Sequence, residues 1–221
     1  MSTTETRTTA TQWIFALLRD DEPFEHIPSE PALALSLLRE LLTAPYAALS
    51  SLDDPACGAA LNSLVAAWHT PNLMGIAVDA SLPRPERVAL VRAVPGLFRD
   101  VVARRLPAAQ LASASRDPSL KSLANIAHMF WEYAAITPRA EDEDQRVIDA
   151  ACLDAIESVL FIAHAGCQES ALLGLSLWSA YPARVYAILD RWLTSATPMH
   201  PSLTERACRE RAAAEHSLRP R

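Results

Sequence analysis

Proline punctuation is the feature that most constrains what this chain can fold into. Three apolar runs open on one device, a residue able to cap a helix with a proline close behind it: "SEPALALSLLRELL", "DDPACGAALNSLVAAWH" and "RDPSLKSLANIAHMFWEYAA". Proline in a first helical turn costs no hydrogen bond, because the N–H it lacks has no partner inside the helix. Behind Pro31, the residues Ala34, Leu37, Leu38, Leu41 and Leu42 recur at helical spacing; behind Pro55, Cys57, Ala60, Leu61, Leu64, Val65 and Trp68 do the same. Behind Pro118 the stripe is Leu120, Ala124, Ala127, Trp131 and Ala135. Ser29, Asp54 and Asp117 are the expected caps. With 16 prolines against 5 glycines, the chain has the balance of helices started and stopped by proline, not of sheets turned by glycine.

The remaining segments read the same way. Trp13, Ile14, Leu17 and Leu18 form one side of a short early helix. "RPERVALVRAVPGLFRDVVARRL" holds two helical pieces with a kink or tight turn expected at Pro95 and Gly96. Ile148, Cys152, Ala155, Ile156, Val159, Leu160 and Ala163 make a long stripe, with Asp149, Asp154 and Glu157 facing elsewhere. The acidic run Glu141 to Asp144 before it is expected to be exposed, near the positive end of that helix. Gly166 to Leu193 reads as a helix buried on all sides, started by "CQES", then a Tyr-Pro turn and an amphipathic helix with Val185, Ile188, Leu189, Trp192 and Leu193 inward. Ser202 and Glu205 suggest a capping box for a last, loosely attached helix. "MGIAV", Met74 to Val78, is the one strand-like run, and it has no partner. The expectation is an all-α fold of about nine antiparallel helices, an irregular bundle or a short stack. A disordered tail spans 1–11, one helical domain 12–197 with an internal boundary near 107–117, and the terminal helix 198–221.

"QESALLGLSLW", a proline turn and "VYAILDRWL" form a buried helix hairpinned to an amphipathic one. This resembles the helix pairs of HEAT- or armadillo-like repeat proteins, and a pattern found in uncharacterised bacterial proteins with HEAT-like helices. The resemblance implies a protein-binding helical stack, and it covers about a quarter of the chain.

Charge and cysteine usage narrow the function classes. A net charge of -6 argues against nucleic acid, which requires a basic face. The run Arg99 to Arg105 has its arginines interrupted by Asp100 and reads as a solvated helix face. The opening "MSTTETRTTATQ" lacks the apolar core of a signal peptide, and no apolar run reaches the roughly 18 residues of a membrane span. The four cysteines form no Cys-x-x-Cys pair, as expected of reduced thiols in a cytoplasmic protein.

Few residues suggest chemistry. His128 and Glu132, four apart, share a helix face as a metal or acid–base pair would; the same spacing serves a polar pair on the rim of a core. His164 and Cys167, three apart, are two zinc-type ligands or a Cys/His pair, yet a zinc site takes about four ligands. Ser176 and Ser179 stand in no Gly-x-Ser-x-Gly context, and there is no glycine-rich phosphate loop. The aromatics Phe130, Trp131, Tyr133, Trp178, Tyr181, Tyr186 and Trp192 have core spacing, while some could line a groove. No catalytic residue, cofactor or metal is assigned. His128, Glu132, His164, Cys167, Trp131, Trp178 and Tyr181 stand as pocket or interface candidates. The expected function is non-enzymatic binding of another protein, as an adaptor or immunity-type partner. The alternative is an enzyme or small-ligand binder with a pocket between helices.

Overall fold

The computed structural model describes residues 9–19, 28–65, 73–111, 113, 122–134, 136–195 and 200–219. Among these residues every regular element is helical and there is no strand. The α-helices are α1 (Ala10–Arg19), α2 (Pro31–Thr43), α3 (Pro45–Leu49), α4 (Asp54–Val65), α5 (Arg84–Leu97), α6 (Ala103–Arg105), α7 (Leu123–Tyr133), α8 (Glu143–Leu160), α9 (Ala165–Ser176), α10 (Pro182–Leu193) and α11 (Pro201–Leu218). No helix is long and apolar enough to cross a membrane among the described residues.

The helices pack as two ranks. α1, α4, α7, α9 and α11 each lie against the next, and so do α2, α5, α8 and α10. Chain order therefore alternates between ranks, with α3 as an extra turn beside α1 and α2. The ranks are joined where α1 meets α2, α8 meets α9 and α10 meets α11. The interior is one continuous apolar cluster, running from Trp13 in α1 through Leu90 and Phe98 to Trp192 in α10 and Ala207 in α11. Trp192 is fully buried beside Val185, Ile188 and Leu189. Burying one such side chain removes roughly 150–250 Å² from water.

The proline rule holds, with the caps one position displaced. Pro31 is the first residue of α2, behind Glu30 and not Ser29, and no side chain caps that end. For α4 the cap is Asp53, whose carboxylate accepts from Ala56 N–H at 2.8 Å; Asp54 instead receives Arg105 Nη1 at 2.9 Å. Either aspartate of the doublet can cap, and the arginine at the end of α6 pairs with the one that does not. α7 is capped by Ser122, which accepts from Asn125 N–H. The expected start at Asp117–Pro118, like Leu120, Ala135 and Trp68, lies outside the described residues. At α11 the cap is His200, accepting from Ser202 N–H, and so Ser202 lies inside the helix and forms no box with Glu205. This last helix lays Leu203, Ala207 and Ala214 against the core.

The strand-like run forms no strand, as expected, and Pro95–Gly96 forms no tight turn, each for a physical reason. "MGIAV" is a 3-10 turn, Leu73–Val78, with Met74 and Ala77 buried at three-residue spacing against α2, α4, α5 and α8. An isolated extended segment there would leave its backbone groups unpaired. Pro95 and Gly96 do not break the helix. α5 runs through them into a π-helical stretch, Phe98–Val102, in which Ala103 N–H bonds Phe98 O, and continues as α6. Proline removes one N–H from the ladder, and the register then widens to five residues just beyond it. Gly96 serves packing: a Cβ there would lie 3.0 Å from Leu42 O, so α2 approaches α5 because this residue has no side chain.

Candidate functional site

Helix α9 is the polar centre of the molecule. It is buried on every side from Ala165 to Leu172, and again at Gly174 and Leu175, between α7 and α8 with α11 near its end. The expected hairpin is therefore not a packed pair: α9 lies on α7 and α8, while α10 lies on α11 and α8. All-round burial of α9 requires several neighbours, and the five-residue link 177–181 carries α10 into the other rank.

His164 starts α9, three residues before the expected "CQES" start. Its Nδ1 accepts from Cys167 N–H at 3.4 Å, and its Nε2 lies 3.0 Å from Leu106 O. The carbonyl only accepts, so Nε2 carries the proton and Nδ1 is the cap. Ala165 N–H adds a bond to Ala108 O at 2.8 Å. His164 thus ties the end of α6 to the start of α9. Cys167 is not its side-chain partner. The thiol points at Phe98 O, 3.8 Å away, where the π-helical stretch begins. Burial pushes this thiol up to about 12, far from the thiolate a nucleophile requires. Cys57 is pushed up to about 11 by burial, and Cys152 is also driven upward by burial and by the charge of Asp149. All four cysteines are free thiols, and Cys208 alone is exposed.

The expected His128–Glu132 pair is replaced by His128–Glu169. Glu132 is exposed on the outer face of α7. Glu169 is buried in α9, and its carboxylate accepts from the backbone N–H of Ser113 at 3.0 Å and from the Ser113 hydroxyl. His128 Nδ1 stands 3.7 Å from Glu169 Oε2, close for an ion pair and beyond hydrogen-bond reach. Further along the same seam, the Trp131 ring lies parallel to Phe98 with centroids 6.1 Å apart and meets Phe130 edge-on at 5.3 Å. Its indole rests on Gly174: a Cβ there would come within 2.7 Å of Trp131 Cδ1. His128 Nδ1, Trp131 Nε1 and Ser170 Oγ are buried on this α7–α9 seam without a hydrogen-bond partner among the described residues.

Trp178 and Tyr181 belong to a second cluster. Trp178 is buried with its ring centroid 6.0 Å from that of Tyr181. The Tyr181 hydroxyl donates to Asp149 Oδ2 at 2.7 Å. Asp149, expected to face away from the core, is fully buried; it also accepts from Arg139 N–H at 2.9 Å and Gln145 Nε2 at 3.0 Å. Three donors satisfy the carboxylate, which clasps the loop before α8 to the turn before α10. Burial, the hydrogen bond to Asp149 and its charge push the Tyr181 phenol up to about 12. The sequence carried a signal for Asp149: it lies three and seven residues before Cys152 and Ile156, inside the apolar stripe. Glu169 had a similar one, since a helix apolar all round buries whatever polar residues it contains. Nothing local marked Ser113, which arrives from a distant loop.

The acidic run splits in two. Glu141, Asp142 and Glu143 are exposed, and Asp142 caps α8 by accepting from Asp144 and Gln145 N–H. Asp144 pairs with Arg84 at 3.3 Å and with the buried Arg87 at 2.6 Å. The Arg87 hydrogen bond holds its carboxyl below the usual range. The basic run is engaged too: Arg104 sits over the Tyr46 ring and beside Asp100, and Arg105 bridges Asp54 and Leu49 O.

Two concavities adjoin α9. One, of about 370 Å³, is lined by Ala108, Ala163, His164, Gln168, His200 and Pro201. The other, of about 210 Å³, lies between the end of α9, the start of α10 and the second half of α11. No group of three or more His, Cys, Asp or Glu side chains suited to a metal ion occurs among the described residues. No family model matches the chain, and neither a curated protein nor a solved structure matches it.

Proposed function

We propose that this protein is a non-enzymatic, HEAT-like helical module that binds another protein, working in the reducing environment of a bacterial cytoplasm. One observation carries the reading. The groove between α9, α10 and α11 is lined mainly by apolar side chains, Leu175, Pro182, Val185, Ala213 and Ala214, and Leu218, 45% exposed, directly follows its lining residue Ser217. An apolar concavity open to solvent is the pattern of a docking site. The polar candidates point the same way. His164, Tyr181 and Asp149 hold helices together, and the buried thiol of Cys167 is far from its reactive form. A ligand-binding reading rests on the cavity of about 370 Å³, although His164 uses both ring nitrogens on backbone groups there. Four free thiols fit a reducing compartment.

Site-specific photo-crosslinking in source-cell extract tests the reading. A crosslinker at Leu218 should give a discrete protein adduct that is absent with the crosslinker at Arg99, an exposed residue of the π-helical stretch. Identical adduct patterns from the two positions would sink it.

A further inference from the structure

Two helices of this fold, α9 and α11, start on a histidine, and both starts line the cavity of about 370 Å³. At α9 the roles of the ring nitrogens are fixed. His164 Nε2 donates to Leu106 O at 3.0 Å, and Nδ1 accepts from Cys167 N–H at 3.4 Å. Only the neutral ring can do both, because an imidazolium carries a proton on each nitrogen. A proton on Nδ1 would stand against the Cys167 N–H and remove the cap. It would also place a buried positive charge at the positive end of a 12-residue helix. At α11 the conflict is milder. His200 Nδ1 accepts from Ser202 N–H at 3.4 Å, but it also lies 2.8 Å from the Ser202 hydroxyl, which can turn its oxygen to a protonated ring. His200 is partly exposed, whereas His164 is 3% exposed.

The ionisable side chains of the surrounding elements are engaged elsewhere among the described residues. Cys167 turns its thiol to Phe98 O, and Glu169 takes Ser113 and faces His128 of α7. Arg105 of α6 is bound to Asp54 and Leu49 O, and Glu157 of α8 pairs with Arg184 and Arg191. The ionisable residue that α11 brings to the cavity is His200. We propose that His164 is a pH-sensitive clasp, closed when neutral, that joins the end of α6 and residues 106–110 to the start of α9. Ala165 N–H, bound to Ala108 O at 2.8 Å, and Gly166, where a Cβ would stand 3.4 Å from Gln110 O, belong to the same junction. The closed junction has no place for a second proton on the ring and the open one has. Opening therefore takes up a proton, and acid favours it. Histidine is the side chain that ordinarily changes charge between pH 5 and 8. One turn further on, a proton on His128 would draw Glu169 across the 3.7 Å gap between them. Acid thus loosens the first turn of α9 and holds the second, which confines the opening to the junction.

Amide exchange followed by NMR at about pH 8 and about pH 6 tests the clasp, read as protection factors so that the pH dependence of exchange itself cancels. Protection of Ala165 and Cys167 should fall roughly fourfold between the two, the factor that one solvated imidazole supplies when only the open junction binds its proton. Amides of α5 should keep their protection. His164→Asn retains a side-chain acceptor at the cap and cannot titrate, so in that variant Ala165 and Cys167 should be equally protected at both pH values. The comparison with α5 in the wild type stands whether or not the variant folds. Ring nitrogen-15 shifts at the higher pH should show the Nε2–H tautomer of His164. Unchanged protection of Ala165 and Cys167 in the wild type, an equal fall in His164→Asn, an equal fall across α5, or an Nδ1–H tautomer would each overturn the clasp.

Discussion

Gly174 illustrates how far a single residue's role depends on what lies across from it. In an isolated helix, alanine would be better there by about 1 kcal/mol. Against Trp131 it is not, because the added methyl would sit 2.7 Å from an indole carbon held between Phe98 and Phe130. Gly174→Ala should therefore destabilise the protein by about 1–2 kcal/mol in urea unfolding, the usual range for overpacking. In a Trp131→Leu background the same change should become neutral or stabilising. A loss of equal size in both backgrounds would mean that the ring is not what the glycine accommodates. A glycine inside a helix that is apolar all round signals that something packs close there, and only the fold shows that it is the Trp131 ring from α7. Likewise spacing within α7 offers Glu132 to His128, whereas the carboxylate beside its ring is Glu169, because spacing within a helix says nothing about the helix packed against it.

Helix boundaries and inward stripes were legible, since a repeat of 3.6 residues and proline in the first turn act locally. Which helices pair was not, and α10 shows why. Its expected partner was α9, yet polar cross-links attach it to α8 and α11. Arg184 reaches Asp154 at 2.6 Å and Glu157 at 3.1 Å, Arg191 reaches Glu157 at 2.6 Å, and Arg211 reaches Asp190 at 2.7 Å. Residues that read as a solvated outer face are a ladder across three helices. Glu157 is its centre, with one oxygen for each arginine of α10. A double-mutant cycle on Glu157 and Arg191 should give a coupling of about 0.2–1 kcal/mol, the range for partly exposed pairs. It should shrink in 1 M salt, where the screening length falls to about 3 Å. A coupling indifferent to salt would point to packing by the arginine stems.

At the scale of the whole molecule, the two ranks make position in the stack a determinant of local stability. α5, α8 and α9 have neighbours on both sides within their ranks, whereas α1 and α11 stand at the ends of theirs. Opening an end helix breaks one interface within its rank, and opening an internal one breaks two. Amide exchange should accordingly be slowest in α5, α8 and α9 and fastest in α1 and α11, read by mass spectrometry at the peptide level. Uniform protection across all five would mean that the chain opens only as one unit. The same burial gives the protein a built-in clock. Of its four thiols, the one on α11 is open to solvent, and the others sit in α4, α8 and α9 behind packed side chains. A maleimide dye in excess should therefore attach once within the mixing time. The next attachments should follow at the pace of local opening, and denaturant should release all three at once. Each later mass increment would time the loosening of one identifiable part of the stack, with no residue replaced.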